Sequence, residues 1–436
     1  MTINLRSAIA IAALSLASAA PAAHAQETIT LDEAILRAQQ RSARIEEIDA
    51  RRAGAAAAES GRAAARMPAI SLLAGYTRTN HVEEFSVLAP GQPPRVIYPD
   101  VPDNFRSRVD LQWPIYTGGR SEALLRAALA ETRAVGEEVQ SAHADLRLEV
   151  TRAFWALATA REAERVVARA LENLDTHVRD LRARLDQGLI PPNDVTFAEA
   201  QRSHQRLLSI EATNLLGIAE ADLRRLVGGD GAIAPAATLE AIAAVQAATV
   251  GAVATVAGVE RRALNFRLDA SRAREPAVRA TAKPQVSLGG GYDFARPNPR
   301  IFPRVDSWED SWDASVNLSW SLWDGGRRRA EQAEASSSTR AVQARLTEFD
   351  RQLAFELQQR QLELDSARSA IEASADGVRS AAETRRVVAE RYRAGVVTST
   401  DLLDAEVALL QAELDRTRAL SAAALAEARL ERARAR

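Results

Sequence analysis

Short segments in two parts of the chain alternate apolar and polar residues, the pattern of β-strands with one face of each kind. Apolar residues occupy every second position from 312 to 322, and residues 104–117 follow the same pattern less strictly. A shorter alternating run precedes each of them. The pattern therefore predicts two β-hairpins, at residues 69–117 and 285–324, with a long loop inside each.

Between the hairpins and after the second one, apolar residues recur in steps of three and four, which predicts amphipathic helices packed as coiled coils. Long helices are expected at 120–187 and 327–394, and each would extend roughly 100 Å. After a glycine, a return helix is expected at 193–226 and at 399–436. Glycines at 228–231 break the first return helix, so a small belt of mixed structure is expected there, before a further helix.

One unit is used twice along the chain. Trp113 falls on Trp320 at an offset of 207 residues, and the glycines that end the two long helices fall on each other at the same offset. Such internal repetition indicates that one architecture has been duplicated. The predicted domains are a first repeat at residues 26–236 and a second at 237–436. Each comprises a leading helix, a β-hairpin, a long helix and a return helix.

Residues 1–25 form a separate leader. They carry one positive charge at Arg6, an apolar stretch and the small-residue ending Ala-His-Ala, the pattern of a cleavable secretory signal peptide. No later run reaches the roughly 18 uninterrupted apolar residues that a membrane-spanning helix needs. The exported chain is therefore expected to lack a helical anchor and to enter a membrane only as a β-barrel, whose strands satisfy one another's backbone groups.

The predicted strands are long enough to cross an outer membrane when tilted, but four of them do not close a barrel. An open edge in lipid leaves backbone groups unpaired, so the chain is expected to share its sheet with copies of itself. The aromatic residues support this interpretation. Most tryptophans and tyrosines lie in or beside the hairpins, as an interfacial aromatic belt requires.

Composition argues against several other classes of function. With 56 basic and 58 acidic residues the net charge is −2, so the chain has no basic field for nucleic acid. Cysteine is absent and the five histidines show no metal-ligand spacing, so neither a metal site nor thiol chemistry is expected. The glycines at 289–291 lack the following Lys-Ser/Thr of a phosphate-binding loop, and close packing or pore width in a strand explains them. We expect no cofactor and no enzymatic activity.

Two motifs recur in register in the two repeats. Gly-Gly-Arg stands at residues 118–120 and 325–327, and two similar turns follow the long helices, at 184–195 and 391–405. In this arrangement the chain resembles the TolC-like outer membrane efflux protein family over nearly all of its length after the leader. The resemblance implies an α+β fold that is mostly α. It also implies a homotrimer, with an outer-membrane β-barrel of about 12 strands on a periplasmic α-helical barrel that has an equatorial belt.

In function, the resemblance implies a channel in the cell outer membrane that extends into the periplasm and passively conducts small molecules outward. Its partners would be further copies of itself, a periplasmic adaptor (membrane fusion) protein, an inner-membrane transporter and outer membrane lipid. The channel would then be the exit duct of a tripartite efflux system, energised by its partners.

Glycines mark the places where the chain changes direction, since they adopt conformations closed to other residues. The predicted strand-to-helix junctions are Gly118, Gly119, Gly325 and Gly326. Thr117 and Asp324 precede them and are candidate helix caps. The predicted periplasmic turns, where the resemblance implies docking of the adaptor, are Gly188, Leu189, Gly395 and Val396.

Acidic residues near these turns are the candidate gate. Asp194 and Asp401 follow the glycines and are expected to cap the return helices. The resemblance places residues matching Asp401 and Asp404 near the closed end of the channel, where a trimer turns each carboxylate into a ring that favours cations. Tyr392 and Asp194 are expected to take part in polar contacts that hold the turns closed. Val396 stands where some relatives have a basic residue, so the question of a salt-bridged latch stays open.

Two other functions fit many of the same features. An outer-membrane component of type I protein secretion would have the same architecture and differ in its cargo. A coiled-coil structural or adhesin-like surface protein would also have long helices. It would have no need of paired hairpins of matched length, and it would conduct no current.

Overall fold

The computed structural model describes residues 27–229, 231–236, 239–240 and 258–436. The predicted signal peptide lies outside the described residues, as does most of the segment at the start of the second repeat. The elements in chain order are β1 (Glu27–Ile29), α1 (Leu31–Arg41), α2 (Ala43–Ala64), β2 (Ala69–Arg78), β3 (Phe85–Val87), β4 (Arg95–Tyr98), β5 (Asp103–Tyr116), α3 (Arg120–Asp186), α4 (Pro192–Val227), β6 (Ile233–Pro235), α5 (Val259–Arg279), β7 (Gln285–Arg296), β8 (Glu309–Ser319), α6 (Arg327–Arg393) and α7 (Ser399–Ala435).

The chain divides into two compact units. Residues 47–140 and 259–351 form a strand-bearing unit. The described parts of residues 1–46, 141–258 and 352–436 form a helical unit.

A four-stranded antiparallel sheet dominates the strand-bearing unit, in the order β2, β5, β7, β8. The two predicted hairpins are confirmed, and they join through β5 and β7 into one sheet. Strands β2 and β8 are therefore the edges of this sheet. Each has one backbone edge without a partner strand in the described chain, a template for pairing with another strand.

The two faces of this sheet differ in polarity. Leu72, Val109, Tyr292 and Trp312 lie side by side in one row across the four strands, and they are between 43% and 73% exposed. The next row carries Arg108 and Asp293 on the opposite face. An exposed apolar face of this size is typical of a surface that contacts a nonpolar environment or another protein.

Charged residues on the polar face connect three of the strands. The carboxylate of Asp293 on β7 is almost fully buried and accepts from Arg106 Nε at 2.6 Å and from Arg108. Arg108 extends across β7 to Asp313 on β8, with 3.0 Å between Nη1 and Oδ1. It passes over Gly291, where a Cβ atom would overlap its guanidinium group. Close packing at this glycine of the predicted run is confirmed.

The duplication is also visible in hydrogen bonds beside the sheet. Trp113 Nε1 donates to the carbonyl of Arg66 at 3.2 Å, and Trp320 Nε1 donates to that of Ala282 at 3.0 Å. Each acceptor stands two residues before a proline that directly precedes the first strand of its hairpin. Equivalent tryptophans therefore fix equivalent strand ends in the two repeats.

Two details of the hairpins differ from the prediction. Inside the first loop, β3 and β4 form a small antiparallel pair that the alternation does not reveal. Strand β8 ends at Ser319, although the alternating pattern continues to Leu322. The reason is that its partner β7 begins at Gln285, opposite Ser319, and offers no backbone groups beyond that point.

The predicted long helices are confirmed. α3 and α6 are each 67 residues long, and the return helices α4 and α7 follow them after short turns. In the helical unit, Trp155 of α3 is fully buried and belongs to one apolar cluster with Leu420 and Ala424 of α7. Many of the other buried residues are alanines, whose small side chains permit the close approach of helices. No helix in the described residues is both long and apolar enough to cross a membrane.

A two-stranded parallel ladder in the helical unit joins the start of the described chain to the segment after α4. Strand β1 pairs with β6, and Ala236 N donates to the Ile29 carbonyl at 2.9 Å. This ladder agrees with the mixed structure expected after the first return helix. The leading segment, predicted to be a single helix, instead starts with β1. It then divides at Ser42, whose backbone is extended, into α1 and α2.

Both strand-to-helix junctions contain a pair of glycines with positive φ angles. The angles are 68° at Gly118, 90° at Gly119, 67° at Gly325 and 93° at Gly326. The predicted capping residues are confirmed. The side chains of Thr117 and Asp324 each accept, at 3.2 Å, from the backbone N–H four residues further on. The two junctions are thus locally alike.

Replacing Gly118 by alanine is expected to destabilise the protein more than replacing Gly325 by alanine. Both substitutions force a side chain into a left-handed conformation, at a cost of about 1 kcal/mol each. Only at Gly118 would the new Cβ lie 2.8 Å from Lys283 Cβ and 3.0 Å from the Ala280 carbonyl oxygen. That overlap adds about 1–3 kcal/mol. Thermal unfolding of the detergent-solubilised protein measures the difference, and equal midpoints would contradict this packing.

Candidate gating site at the helical turns

The two turns between long and return helices have the same backbone hydrogen bonds. Gly188 N donates to the Leu185 carbonyl at 2.8 Å, and Leu189 N donates to the Arg184 carbonyl at 2.9 Å. The equivalent pair of bonds, at 3.0 Å and 2.9 Å, closes α6 at Gly395. The φ angles of the two glycines are 72° and 73°. Both turns are Schellman motifs, and the predicted left-handed glycines are confirmed.

An exposed apolar side chain follows each of these glycines. Leu189 is 68% exposed and Val396 is 64% exposed. In many Schellman motifs the residue at this position packs on the preceding helical turn. Here both side chains instead present apolar surface to solvent at the outermost part of the turn.

The two return helices begin differently, although they stand at equivalent positions of the repeats. Thr398 caps α7, because its Oγ1 accepts from Asp401 N at 3.2 Å and its own N donates to Asp401 Oδ2 at 2.8 Å. This reciprocal pair is a capping box. In the first repeat, Pro191 takes the place of Thr398 and makes no side-chain cap. Pro192 then opens α4, and its fixed φ angle suits a first helical position.

The prediction that Asp194 and Asp401 are the N-cap residues is wrong. Both lie at the third position of their helices, because α4 begins at Pro192 and α7 at Ser399. Asp401 completes the cap made by Thr398. The backbone N–H of Asp194 donates to the Pro191 carbonyl at 3.2 Å.

Two carboxylates lie on exposed positions at the start of α7. Hydrogen bonds from the hydroxyl and the backbone N–H of Thr398 lower the pKa of Asp401 below its ordinary value. Asp404, three residues further on, is exposed, and its side chain makes no hydrogen bond or ion pair within the described chain. Negative charge is favoured at this end of a helix by the helix dipole. Asp401 therefore stays ionised well into the acidic range.

A polar contact among three helices lies close to these turns. His177 of α3 is 8% exposed, and its Nε2 lies 2.9 Å from the Oγ of Ser399, the first residue of α7. The ring of Tyr392 on α6 packs edge-on against this imidazole, with 5.6 Å between centroids. The guanidinium carbon of Arg184 lies 5.1 Å from the centre of the Tyr392 ring, a cation–π contact. We call these four residues the clasp.

The clasp connects the helical hairpin of the first repeat to that of the second. Each hairpin also has an ion pair of its own. Arg182 of α3 pairs with Glu199 of α4, and Arg385 of α6 pairs with Glu406 of α7. Glu199 and Glu406 stand at equivalent positions of the duplication. Next to the clasp, an apolar cluster of α3, α4 and α7 contains Leu174, Val178, Leu181, Val195, Ala198 and Leu403.

The structure brings together only part of the predicted gate. Tyr392 takes part in a polar contact, whereas the side chains of Asp194, Asp401 and Asp404 make no bond with it or with one another in the described chain. Sequence reasoning did not identify His177 as a partner of Tyr392. A signal for it exists, because this histidine lies three residues after Leu174 on the buried apolar seam of α3.

Burial lowers the pKa of His177, so its imidazole is neutral at pH 7. The charge of Arg184 also lowers the pKa of His177, while the carboxylates of Glu406 and Asp180 raise it. A neutral imidazole is able either to donate to the Ser399 hydroxyl or to accept from it. The hydrogen bond between His177 and Ser399 therefore forms without a charge on the imidazole ring. Among the described residues, no three acidic or histidine side chains are grouped so as to hold a metal ion.

Comparison with known proteins identifies the class of protein to which this fold belongs. Residues 30–229 and 262–436 match the family described as outer membrane efflux protein. The chain therefore belongs to this family, and the resemblance inferred from the sequence is confirmed.

Individual relatives agree with this assignment. The chain is 27% identical over 316 residues to Protein CyaE of Bordetella pertussis, a match that covers 68% of this chain and 64% of that protein. The outer membrane protein VceC of Vibrio cholerae has the same fold, with a TM-score of 0.75, 20% identity, and coverage of 93% of this chain and 96% of that one. The open state of the MtrE outer membrane channel of Neisseria gonorrhoeae is similar, with a TM-score of 0.75, 18% identity, and coverage of 93% and 88%. The predicted fold class, mostly α with two β-hairpins, is thereby confirmed, whereas the trimeric barrel stays a prediction.

Substitution of Thr398 by alanine is expected to destabilise the helical unit by about 1 kcal/mol, because it removes the cap of α7. The variant should also lose less stability than wild type when the pH is lowered. The pKa of Asp401 is lowered in the folded protein, so its contribution is present above the unfolded pKa of about 3.9 and is lost as the pH falls below it.

Unfolding midpoints at pH 7 and pH 3 test this expectation. The difference between wild type and Thr398→Ala should be larger at pH 7 than at pH 3. The Asp194→Asn variant is the matched control, since its side chain caps nothing and its midpoint should remain close to that of wild type. A larger effect of Asp194→Asn than of Thr398→Ala would contradict the assignment of the cap.

Proposed function

We propose that this protein is the outer-membrane exit duct of a tripartite efflux system. In this role it passively passes small molecules from an inner-membrane transporter and a periplasmic adaptor to the exterior. The observation that carries the proposal is the combination of two unpaired sheet edges with an exposed apolar sheet face. Family membership and the fold shared with outer membrane channels support it.

A homotrimer meets both requirements of the sheet. If β2 of one copy pairs with β8 of the next, three copies close a barrel of about 12 strands with no free edge. The row of Leu72, Val109, Tyr292 and Trp312 then faces lipid. The charged cluster of Arg108 and its partners faces the water-filled interior, where ions are readily solvated.

The helices carry apolar surface that suits the same assembly. Four residues of α4 are each close to 59% exposed: Leu207, Ile210, Leu215 and Ile218. On α6, Phe355 and Leu362 are also exposed and lie seven residues apart, as in a coiled-coil seam. We place these residues at contacts between copies, where the helices of three chains would complete a periplasmic tube.

Aromatic residues at the ends of the strands mark the proposed lipid boundary. Trp320 and Trp323 follow β8 and are strongly exposed, the latter to 86%. Arg328, at the start of α6, pairs with Asp324, and Arg327 pairs with Glu331. Arg329, the third arginine of the run at 327–329, is exposed and lies close to these tryptophans in the sequence. This arrangement suits an interface with lipid headgroups, where amphipathic rings and cations are stable.

The helical turns are the proposed gate and docking site. Opening requires the two helical hairpins of each copy to separate at the turns, where the clasp is a polar contact between them. Leu189 and Val396 offer exposed apolar surface for the adaptor. In a trimer, Asp401 and Asp404 would each form a ring of carboxylates at the narrow end, which favours cations.

The proposal predicts a cation-selective current from the purified protein in planar bilayers. The double variant Asp401→Asn, Asp404→Asn should lower the ratio of cation to anion permeability several-fold, because it removes the carboxylate rings. A matched control is Glu47→Gln, an exposed carboxylate on α2 that pairs only with Arg51 in the described chain. It should leave selectivity unchanged.

A second variant in the same assay tests the clasp. Arg184→Ala removes the cation–π contact with Tyr392 and should increase the open fraction of the channel. Absence of current from both wild type and Arg184→Ala, in protein shown to be trimeric and membrane-inserted, would contradict the channel function. An unchanged selectivity in the double aspartate variant would contradict the assignment of the constriction.

A further inference from the structure

A buried histidine contacts both helical hairpins of the protomer near the turns. His177 projects from α3 of the first hairpin, and its bond to Ser399 and its ring contact with Tyr392 both reach the second hairpin. A neutral imidazole is able to make both of these contacts. The proposed gate thus includes a group that changes charge near neutral pH.

The surroundings of His177 oppose a positive charge on its ring. Burial is the strongest influence, and the Arg184 guanidinium adds repulsion. Ser399 is the first residue of α7, so the imidazole lies at a helix N-terminus, where the helix dipole disfavours cations. The ring of Tyr392 on α6 packs edge-on against the imidazole, and α4 contributes the apolar side chains Val195 and Ala198 to the neighbouring cluster.

Acidic groups near the histidine only partly offset these effects. Glu406 on α7 and Asp180 on α3 favour the charged ring, but burial outweighs both. The carboxylate of Asp401 lies at the same end of α7, where its hydrogen bonds go to Thr398. The Glu406 carboxylate is also shared with Arg385 of α6.

We propose that the clasp is a pH-sensitive latch, in which neutral His177 keeps the two hairpins together and protonation of its imidazole releases them. This inference rests on the proposed function, since it assigns a regulation to the gate of that channel. Separation of the hairpins would expose the ring to water, where its positive charge is solvated. A proton therefore binds more tightly to the open state than to the closed state, and acid favours opening.

The pH range in which the channel opens follows from the difference in the pKa of His177 between the open and closed states. In the open state, His177 titrates near its ordinary value of about 6.5. In the closed state burial holds the pKa of the same ring below that value. The closed state is therefore fully favoured above about pH 7, and the open fraction rises as the pH falls through about 6.5. The pKa of Asp401 is lowered, so this carboxylate stays ionised over the range and does not contribute to the response.

Single-channel recordings of the full-length trimer between pH 7.5 and pH 5.5 test the latch. Wild type should show at least a several-fold rise in open probability towards pH 5.5. His177→Gln places an amide nitrogen at the reach of Nε2, which bonds to Ser399, but it does not titrate, so the open probability of this variant should be independent of pH. His177→Asn provides a second, shorter amide if the first variant assembles poorly. The matched control is His204→Asn, since His204 on α4 is exposed; it should keep the wild-type response.

The outcomes separate this inference from the proposed function. A conducting wild type whose open probability does not change with pH would overturn the latch and leave the channel in place. The same holds if both amide variants of His177 keep the full pH response. Absence of current from every protein at every pH would overturn the channel function itself, and the latch with it.

Discussion

The unpaired backbone edges of β2 and β8 constrain almost everything else in this protein. A peptide group without a hydrogen-bond partner is costly in a nonpolar environment, and the exposed row from Leu72 to Trp312 suits such an environment. Closure with further copies satisfies both conditions together. The helices α3 and α6 begin only a few residues after β5 and β8 end, so the arrangement of the strands also sets where the helices start. The glycine pairs at the two junctions permit this abrupt change of direction.

The helical turns have a different physical character, because in the proposed gate they must hold the channel closed and still be able to open. Their backbone is rigid, with a Schellman motif at the end of each long helix. The polar contacts of the clasp between the two hairpins are individually weak. One hydrogen bond contributes about 0.5–1.5 kcal/mol, and an exposed cation–π contact contributes about 0.5–1 kcal/mol. A docking partner needs only a modest difference in affinity between two states to shift such a balance, since 1.4 kcal/mol is about a tenfold change in an equilibrium constant.

Much of this fold could be predicted from the sequence, because the duplication aligns two copies of each pattern. Strand alternation and helical seams are local signals, and both hairpins and both long helices follow from them. The small ladder of β1 with β6 could not be predicted, since each strand has only three residues and they are distant in sequence. At the candidate site, Gly188 and Gly395 were predictable from local turn chemistry. The position of Asp401 inside a capping box depends on where α7 begins, and the contact of His177 with Tyr392 depends on the packing of two hairpins.

The central claim is that the sheet is completed by further copies, with β2 of one chain beside β8 of another. The natural chain contains no cysteine, so introduced thiols give an unambiguous signal. Leu72→Cys is combined in turn with a cysteine at each outward position of β8, and the membrane-inserted protein is oxidised. Val109→Cys with Tyr292→Cys, on the neighbouring inner strands, is the control for a bond within one chain. The account predicts a disulfide-linked ladder that ends at the trimer for at least one β8 position. Absence of links between chains at every position, while the control pair forms its bond, would contradict it.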